Sequence, residues 1–120
     1  MTSTITSAGI REFYRLVDAG DLTGLAALFT EDARYDRPGY PPLLGRDAID
    51  HFYRYDRVIA AGRHQLDSIV VSGNETAVRG SFEGELRDGS PVRHRFAEFF
   101  RRTDDGLISA RETFFAIAHV

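Results

Sequence analysis

The sequence has no cysteine, which excludes disulfides, thiolate metal ligands and cysteine nucleophiles. It has no lysine either, so all 15 basic residues are arginines, and they are scattered along the chain. The formal net charge is -3, and no basic run is present. Nucleic-acid binding needs clustered basic side chains to contact phosphates, so the composition argues against it.

Long apolar runs are also missing. No segment approaches the roughly 20 apolar residues that span a bilayer. The first residues, MTSTITSAGIREF, lack the basic and apolar regions of a signal peptide. We therefore expect a cytoplasmic protein without membrane contact. A length of 120 residues suits a single domain, 1–120, with one hydrophobic core.

Apolar residues at helical spacing dominate the first half of the chain. They predict a first helix over 7–20, a short second helix over 21–29 and a third helix over 45–62. A short strand is predicted over 33–36, before a proline-rich turn.

The second half changes to a period of two, which predicts β-strands. We expect strands over 65–71, 78–85, 92–101 and 107–118. Turn sequences separate them at 72–74, 87–90 and 103–106.

Gly80 and Gly84 fall on the inner face of the second of these strands and would allow the sheet to bend sharply. Helices followed by a long meander predict an α+β fold. We expect a cone: a curved antiparallel or mixed sheet wrapped around three N-terminal helices, with a ligand pocket between sheet and helices.

Four stretches carry a family resemblance: VDAGDLTGLAALFTEDARYDRP (17–38), LLGRDAIDHFYR (43–54), GELRDGSPVRHRFAEFFRRTDDG (84–106) and ISARETFF (108–115). They resemble the nuclear transport factor 2-like superfamily, in the branch of SnoaL-like polyketide cyclases and ketosteroid isomerase-like proteins. The resemblance covers most of the chain in the expected order. It implies the cone fold, with the chemistry on residues that face the pocket.

The ketosteroid isomerases imply two tyrosine positions in this chain. The oxyanion-binding tyrosine of the first helix falls on Phe13, with Tyr14 one residue away. The supporting tyrosine of the third helix falls on Tyr53, which matches. Both Tyr14 and Tyr53 are candidates to donate hydrogen bonds to a ligand, or to be core residues with a hydroxyl at the edge.

The same resemblance implies two acid–base positions. The isomerase base falls on Arg37, with Asp36 one residue before it, and the protonated acid falls on Glu98. Because strand residues alternate, either Asp36 faces in as a base or Arg37 faces in and creates an anion site; we favour Asp36. Glu98 lies on an apolar face, where burial would make it a usable acid or base unless an arginine pairs with it.

The epoxide-hydrolase and cyclase branches imply a carboxylate on the last strand. An alignment with a one-residue gap places Glu112 there, and an alignment without the gap places Thr113 there. Ile108, Ala110 and Phe114 form the more apolar alternate set with Glu112, so we favour an inward Glu112.

His94 lies on the same strand face as Glu98 and could shuttle protons or lie at the rim. The inward aromatic residues Phe82, Phe96 and Phe114 would line a pocket for an apolar ligand.

The remaining histidines have no metal-like spacing, so we expect surface positions and no metal. These are His51, His64 and His119.

The leading hypothesis is a small enzyme without a cofactor. It would perform acid–base chemistry, as a cyclase, an isomerase or an epoxide-opening enzyme, on a hydrophobic polyketide- or steroid-like molecule. The alternative is a non-catalytic module for small-molecule binding or dimerisation. A homodimer through the outer sheet face is expected. The catalytic candidates are Asp36, Glu98, Glu112 and His94.

Overall fold

The computed structural model describes residues 5–116, with the helices first and the long strands after them. The helices are α1 (Ser7–Ala19), α2 (Leu22–Ala26) and α3 (Arg46–His51), and α3 continues into a π-helical segment at Phe52–Asp56. The strands are β1 (Phe29–Asp36), β2 (Leu43–Leu44), β3 (Ile59–Ser72), β4 (Glu75–Leu86), β5 (Pro91–Arg102) and β6 (Ile108–Phe115). None of the helices in this part of the chain is long and apolar enough to cross a membrane.

The strands form one six-stranded sheet in the order β2-β1-β6-β5-β4-β3. β1 and β6 are parallel, and every other neighbouring pair is antiparallel. The parallel pair brings the end of the first strand beside the last strand, although about 75 residues separate them. The predicted α+β cone with a curved mixed sheet is confirmed.

The core lies between α1 and the concave face of the sheet. Phe13 of α1 is fully buried and contacts Phe29 and Phe100 edge-to-face, with ring centroids 6.0 and 5.3 Å away. Such aromatic contacts add to the free energy gained by apolar burial. Gly20 ends α1 with a left-handed φ of 70°, as the sequence predicts.

The predicted third helix is too long. α3 and the π-helical segment end at Asp56, so the expected helical residue Val58 lies in the connection before β3 and Ile59 begins that strand. Gly62 does not end a helix but pairs with Gly84 inside the sheet. A short apolar run fits both periods, and here the β-branched residues continue the sheet.

The predicted second helix is also too long. α2 ends at Ala26, and Phe29 already begins β1. Phe29 still reaches the core, but it does so from the strand.

Gly80 and Gly84 lie on the concave face of β4, where the backbone of β3 approaches very closely. A Cβ on Gly80 would lie 2.1 Å from the carbonyl oxygen of Gln65. A Cβ on Gly84 would lie 2.2 Å from the carbonyl oxygen of Ala61. The missing side chains therefore allow β3 to fold inward over β4, which closes one side of the cone.

We expect Gly80→Ala to destabilise the protein by at least the ~1–3 kcal/mol typical of overpacking, because the obstacle is backbone rather than a movable side chain. Urea unfolding followed by circular dichroism measures the change. Ser81→Ala, one residue away on the other face, is the matched control and should change stability by less than ~0.5 kcal/mol. Equal stability of Gly80→Ala and wild type would show that β3 does not need this close approach.

Candidate functional site

A cavity of about 70 Å³ lies between the concave face of the sheet, the end of β1 and the π-helical segment. Binding sites for drug-sized ligands usually measure roughly 300–1,000 Å³, so this cavity suits a small occupant. Its apolar wall includes Phe52, Phe82, Phe96 and Phe115. Its polar lining consists of Tyr35, Arg37, Tyr53, Arg57, His64, His94, Glu98, Arg111 and Thr113.

Glu98 of β5 is the centre of a buried hydrogen-bond network, with 1% of its surface exposed. Arg111 binds both carboxylate oxygens, through Nε to Oε2 at 2.6 Å and Nη2 to Oε1 at 3.1 Å. The Tyr14 hydroxyl donates to Oε1 at 2.6 Å, and the Thr113 hydroxyl donates to Oε2 at 2.5 Å. Each carboxylate oxygen therefore accepts two hydrogen bonds, which satisfies a buried charge.

The network extends from Glu98 through its partners to two more tyrosines. Arg111 Nη1 donates to the Tyr53 hydroxyl at 2.5 Å. Tyr35 and Thr113 share a hydrogen bond of 3.2 Å, and since Thr113 donates to Glu98, Tyr35 is its donor. The Arg111 guanidinium also lies 4.2 Å from the centre of the Tyr35 ring. One connected set of side chains thus ties together α1, β1, β5, β6 and the π-helical segment.

The charge state of Glu98 follows from this network. Burial alone would raise the pKa of Glu98, but the charge and hydrogen bonds of Arg111, with those of Thr113 and Tyr14, hold it below its ordinary value. Burial and the charge of Glu98 raise the pKa of Tyr14, so its hydroxyl stays protonated. Of the two alternatives for Glu98, the structure has the one in which an arginine pairs with the buried carboxylate. This engagement favours a structural role for the carboxylate.

Asp36 does not face the cavity. Both of its carboxylate oxygens accept from Arg34, at 2.8 and 3.0 Å, on the outer side of β1. Arg37 instead lines the cavity, with its guanidinium 4.0 Å from the centre of the Phe52 ring. The preference for an inward Asp36 is wrong, because buried Tyr35 sets the alternation and Arg37 shares its side.

A β-bulge interrupts the pairing of β5 and β6. Arg101 is opposite Ala110, but Arg102 is opposite Ile108, so Ser109 is an extra residue on β6. A bulge of one residue reverses which alternate set faces inward.

The bulge overturns the predicted orientation of β6. Arg111 and Thr113 are buried, whereas Glu112 and Phe114 are exposed. Phe114 packs against Phe99 on the outer face, with ring centroids 5.8 Å apart. The predictions of an inward Glu112 and of a pocket-lining Phe114 are therefore wrong.

Other predicted site residues do lie at the cavity. Tyr53, Phe82, Phe96 and His94 all line it. His94 is half-buried and stacks on Phe82 at 5.5 Å. Burial, with a smaller effect of nearby His64, lowers the pKa of His94 below its ordinary value, so the ring is neutral at pH 7. A direct role of these residues in binding or catalysis stays a prediction.

His64 is a site residue that the sequence reasoning missed. Its side chain is 9% exposed and packs between Tyr14 and Phe82, with ring centroids 5.0 and 4.7 Å away. Asp18, at the end of α1, holds it: His64 Nδ1 lies 2.5 Å from Asp18 Oδ1, and the backbone N–H of His64 donates to Oδ2 at 2.9 Å. In the tautomer with its proton on Nδ1, His64 donates to the carboxylate and has the lone pair on Nε2.

The predicted surface position of His64 is wrong because the strand that carries it was expected to begin one residue later, at 65. Extending the period of two backward would have placed Gly62, His64 and Leu66 on one inner face. His51 is exposed, as expected, and His119 lies outside the described residues. Within residues 5–116, no three histidine or acidic side chains are arranged to hold a metal ion.

The comparisons with known proteins agree with this architecture. A family model described as SnoaL-like domain matches residues 10–111. An NTF2-like protein of unknown function from Burkholderia pseudomallei has 24% identity and a TM-score of 0.82, over 92% of this chain and 89% of that protein.

Two further solved structures are similar in fold. The epoxide hydrolase/cyclase-like enzyme SalBIII, which acts in pyran ring formation in the polyether salinomycin, has 20% identity and a TM-score of 0.82, over 92% of this chain and 90% of the enzyme. A protein from Catenulispora acidiphila with a ketosteroid isomerase-like fold, solved with trimethylamine, has 15% identity and a TM-score of 0.79, over 91% of this chain and 85% of that protein. At these identities the likeness shows the fold.

We expect Glu98→Leu and Arg111→Met each to cost about 3–5 kcal/mol of unfolding free energy, because each leaves its partner charge buried and unpaired. The double variant Glu98→Leu/Arg111→Met should recover most of that loss. Urea unfolding at pH 7 measures all three. Since the pKa of Glu98 is lowered on folding, its stabilising contribution is present at neutral pH and lost as the pH falls through the folded pKa.

The matched control for these variants is Asp36→Asn, which breaks the exposed pair with Arg34. It should cost less than ~1 kcal/mol. Additive losses in the Glu98→Leu/Arg111→Met double variant would contradict a coupled buried pair.

Proposed function

The chain belongs to the SnoaL-like domain family, and on that basis we propose that it is a pocket enzyme that moves a proton on a small molecule with an apolar body through His64. The observation that carries the proposal is the Asp18–His64 pair, whose histidine lines the cavity. A histidine that is oriented by a carboxylate, with its second nitrogen free to accept a proton, is a recurring general base.

The proposed step uses both ends of the imidazole. His64 Nε2 takes a proton from the substrate, and Asp18 stabilises the imidazolium that forms. The surrounding rings of Tyr14 and Phe82 exclude water from one side of the base. The product is an enolate-like or oxyanionic species that needs a hydrogen-bond donor.

Tyr53 is the donor best placed for that negative charge. Its oxygen accepts from Arg111, which leaves its own proton available, and it lines the cavity. The hydroxyls of Tyr14 and Tyr35 already donate to Glu98 and Thr113. Arg111 polarises the Tyr53 hydroxyl and makes it a stronger donor.

The reaction class that fits is an isomerisation or ring closure that begins with a proton transfer. Cyclase-like and isomerase-like proteins of this fold support the class. The cavity of about 70 Å³ favours a compact substrate. A polyketide or steroid skeleton would need the cavity mouth to widen.

A non-catalytic binding module is the second candidate. It is favoured by the complete engagement of Glu98, since the carboxylate at the centre of the cone has no free lone pair for a substrate. An apolar molecule would then bind without being changed. Turnover distinguishes this candidate from the enzyme.

We also propose a homodimer through the outer face of the sheet. Val70, Phe99 and Phe114 are exposed there by 59%, 52% and 47%, which is unusual for residues of this size. Val70 and Phe99 line a shallow groove of about 430 Å³. A two-fold contact would cover the same apolar patch on both copies.

The first test uses 5-nitrobenzisoxazole, a small apolar probe for a general base. Removal of its ring C–H proton breaks the N–O bond and releases a coloured cyanophenolate. We expect the wild type to accelerate this elimination and His64→Gln to lose about 100-fold or more of the acceleration. Asp18→Asn should lose less, because it leaves the base present but poorly oriented.

His51→Gln is the matched control, since His51 is exposed, and it should keep the wild-type rate. A His64→Gln variant that is folded by circular dichroism and fully active would refute the proposed base. No acceleration by wild type, with the probe shown to bind, would favour the binding module.

The dimer is tested by analytical ultracentrifugation. We expect a dimer for wild type and a monomer for Phe99→Glu, because a charge in the apolar patch would be desolvated on association. Arg11→Glu, an exposed change on α1 and not on the sheet, is the charged control and should stay dimeric. A monomeric wild type at high micromolar concentration would contradict the proposal.

A further inference from the structure

Two guanidinium groups line the cavity without a carboxylate partner among the described residues. Arg37 lies 4.0 Å from the centre of the Phe52 ring, and Arg57 lies 5.5 Å from the centre of the Tyr53 ring. Neither makes an ion pair or a side-chain hydrogen bond within residues 5–116. Because both side chains line the cavity, these two cations are available to a ligand there.

The charge balance of the cavity is positive. Its lining contains three arginines but one carboxylate, and that carboxylate is taken up by Arg111. The negative charge of Asp18 also favours the charged form of Arg57, but both carboxylate oxygens of Asp18 contact His64. A chain with net charge -3 thus concentrates positive charge at its cavity. Such a potential attracts anionic ligands.

Arg57 is held in position by its backbone. Its N–H donates to the Phe52 carbonyl at 2.9 Å, and its carbonyl accepts from Arg87 Nε at 2.6 Å. Burial lowers the pKa of Arg57, which reflects the cost of removing the cation from water. An anion beside the guanidinium would offset that cost.

The walls around these cations are aromatic. Phe82 and Phe96 line the same cavity as Arg37 and Arg57. Inorganic ions gain nothing from aromatic walls, whereas an organic acid uses both features. A planar carboxylate also matches the geometry of guanidinium donors.

We propose that this cavity binds a small organic acid, with its carboxylate on Arg37 and Arg57 and its apolar body against Phe82 and Phe96. This proposal specifies the substrate class of the proposed function. It rests on that function only in taking this cavity as the ligand site. The lining residues then have separate roles. The two arginines bind the carboxylate of the ligand, and His64 faces the carbon that reacts.

The test compares benzoate with benzamide, which has nearly the same shape without the charge. Isothermal titration calorimetry measures both. We expect benzoate to bind wild type at least about tenfold more tightly than benzamide, as charge-assisted hydrogen bonds imply. Arg37→Gln and Arg57→Gln should each weaken benzoate binding by about tenfold and leave benzamide binding unchanged. Arg11→Gln, which removes an exposed arginine outside the cavity lining, should bind benzoate like wild type.

Equal affinity of wild type for benzoate and benzamide would overturn the proposal without need of any variant. Competition by inorganic phosphate at concentrations equal to benzoate would overturn the organic-acid assignment, because it would show that the apolar walls contribute nothing. His64→Gln separates the two proposals. It should bind benzoate within about twofold of wild type even where it abolishes elimination activity, so loss of turnover and loss of anion binding are scored independently.

Discussion

The buried pair of Glu98 and Arg111 is the constraint on which the rest of the structure depends. Two opposite charges in the interior are tolerated only when their geometry is good and their remaining hydrogen-bonding atoms are satisfied. Tyr14, Tyr53 and Thr113 meet that requirement from three different elements. One polar cluster therefore fixes α1, the sheet and the π-helical segment relative to one another, and these elements surround the cavity.

This cluster also explains where chemistry is available. A carboxylate that accepts four hydrogen bonds is a poor proton carrier, so the centre of the cone serves the fold. The groups that can still make a hydrogen bond lie around Glu98. His64 has an unused nitrogen, and Tyr53 has an unused proton.

The sequence predicted the cone, the meander and the inward face of β4 and β5 well. Phe82, Phe96 and Glu98 alternate cleanly with polar residues, and no irregularity interrupts the pairing of these two strands. The prediction failed where the local pattern does not determine which alternate residues of a strand face inward. The bulge at Ser109 depends on pairing with β5, and the position of His64 depends on where α3 gives way to β3. Tertiary contacts determine both features, and the local hydrophobic period contains no information about them.

The bulge at Ser109 decides which lining the cavity has. If Ser109 paired as a regular strand residue, β6 would slip by one residue against β5, and Arg111 and Thr113 would exchange with Glu112 and Phe114 on the inner face, with no substitution at all. The chain therefore encodes two alternative linings on one strand, one cationic and one acidic. A single residue of register between two strands therefore sets the charge that the cavity presents to a ligand.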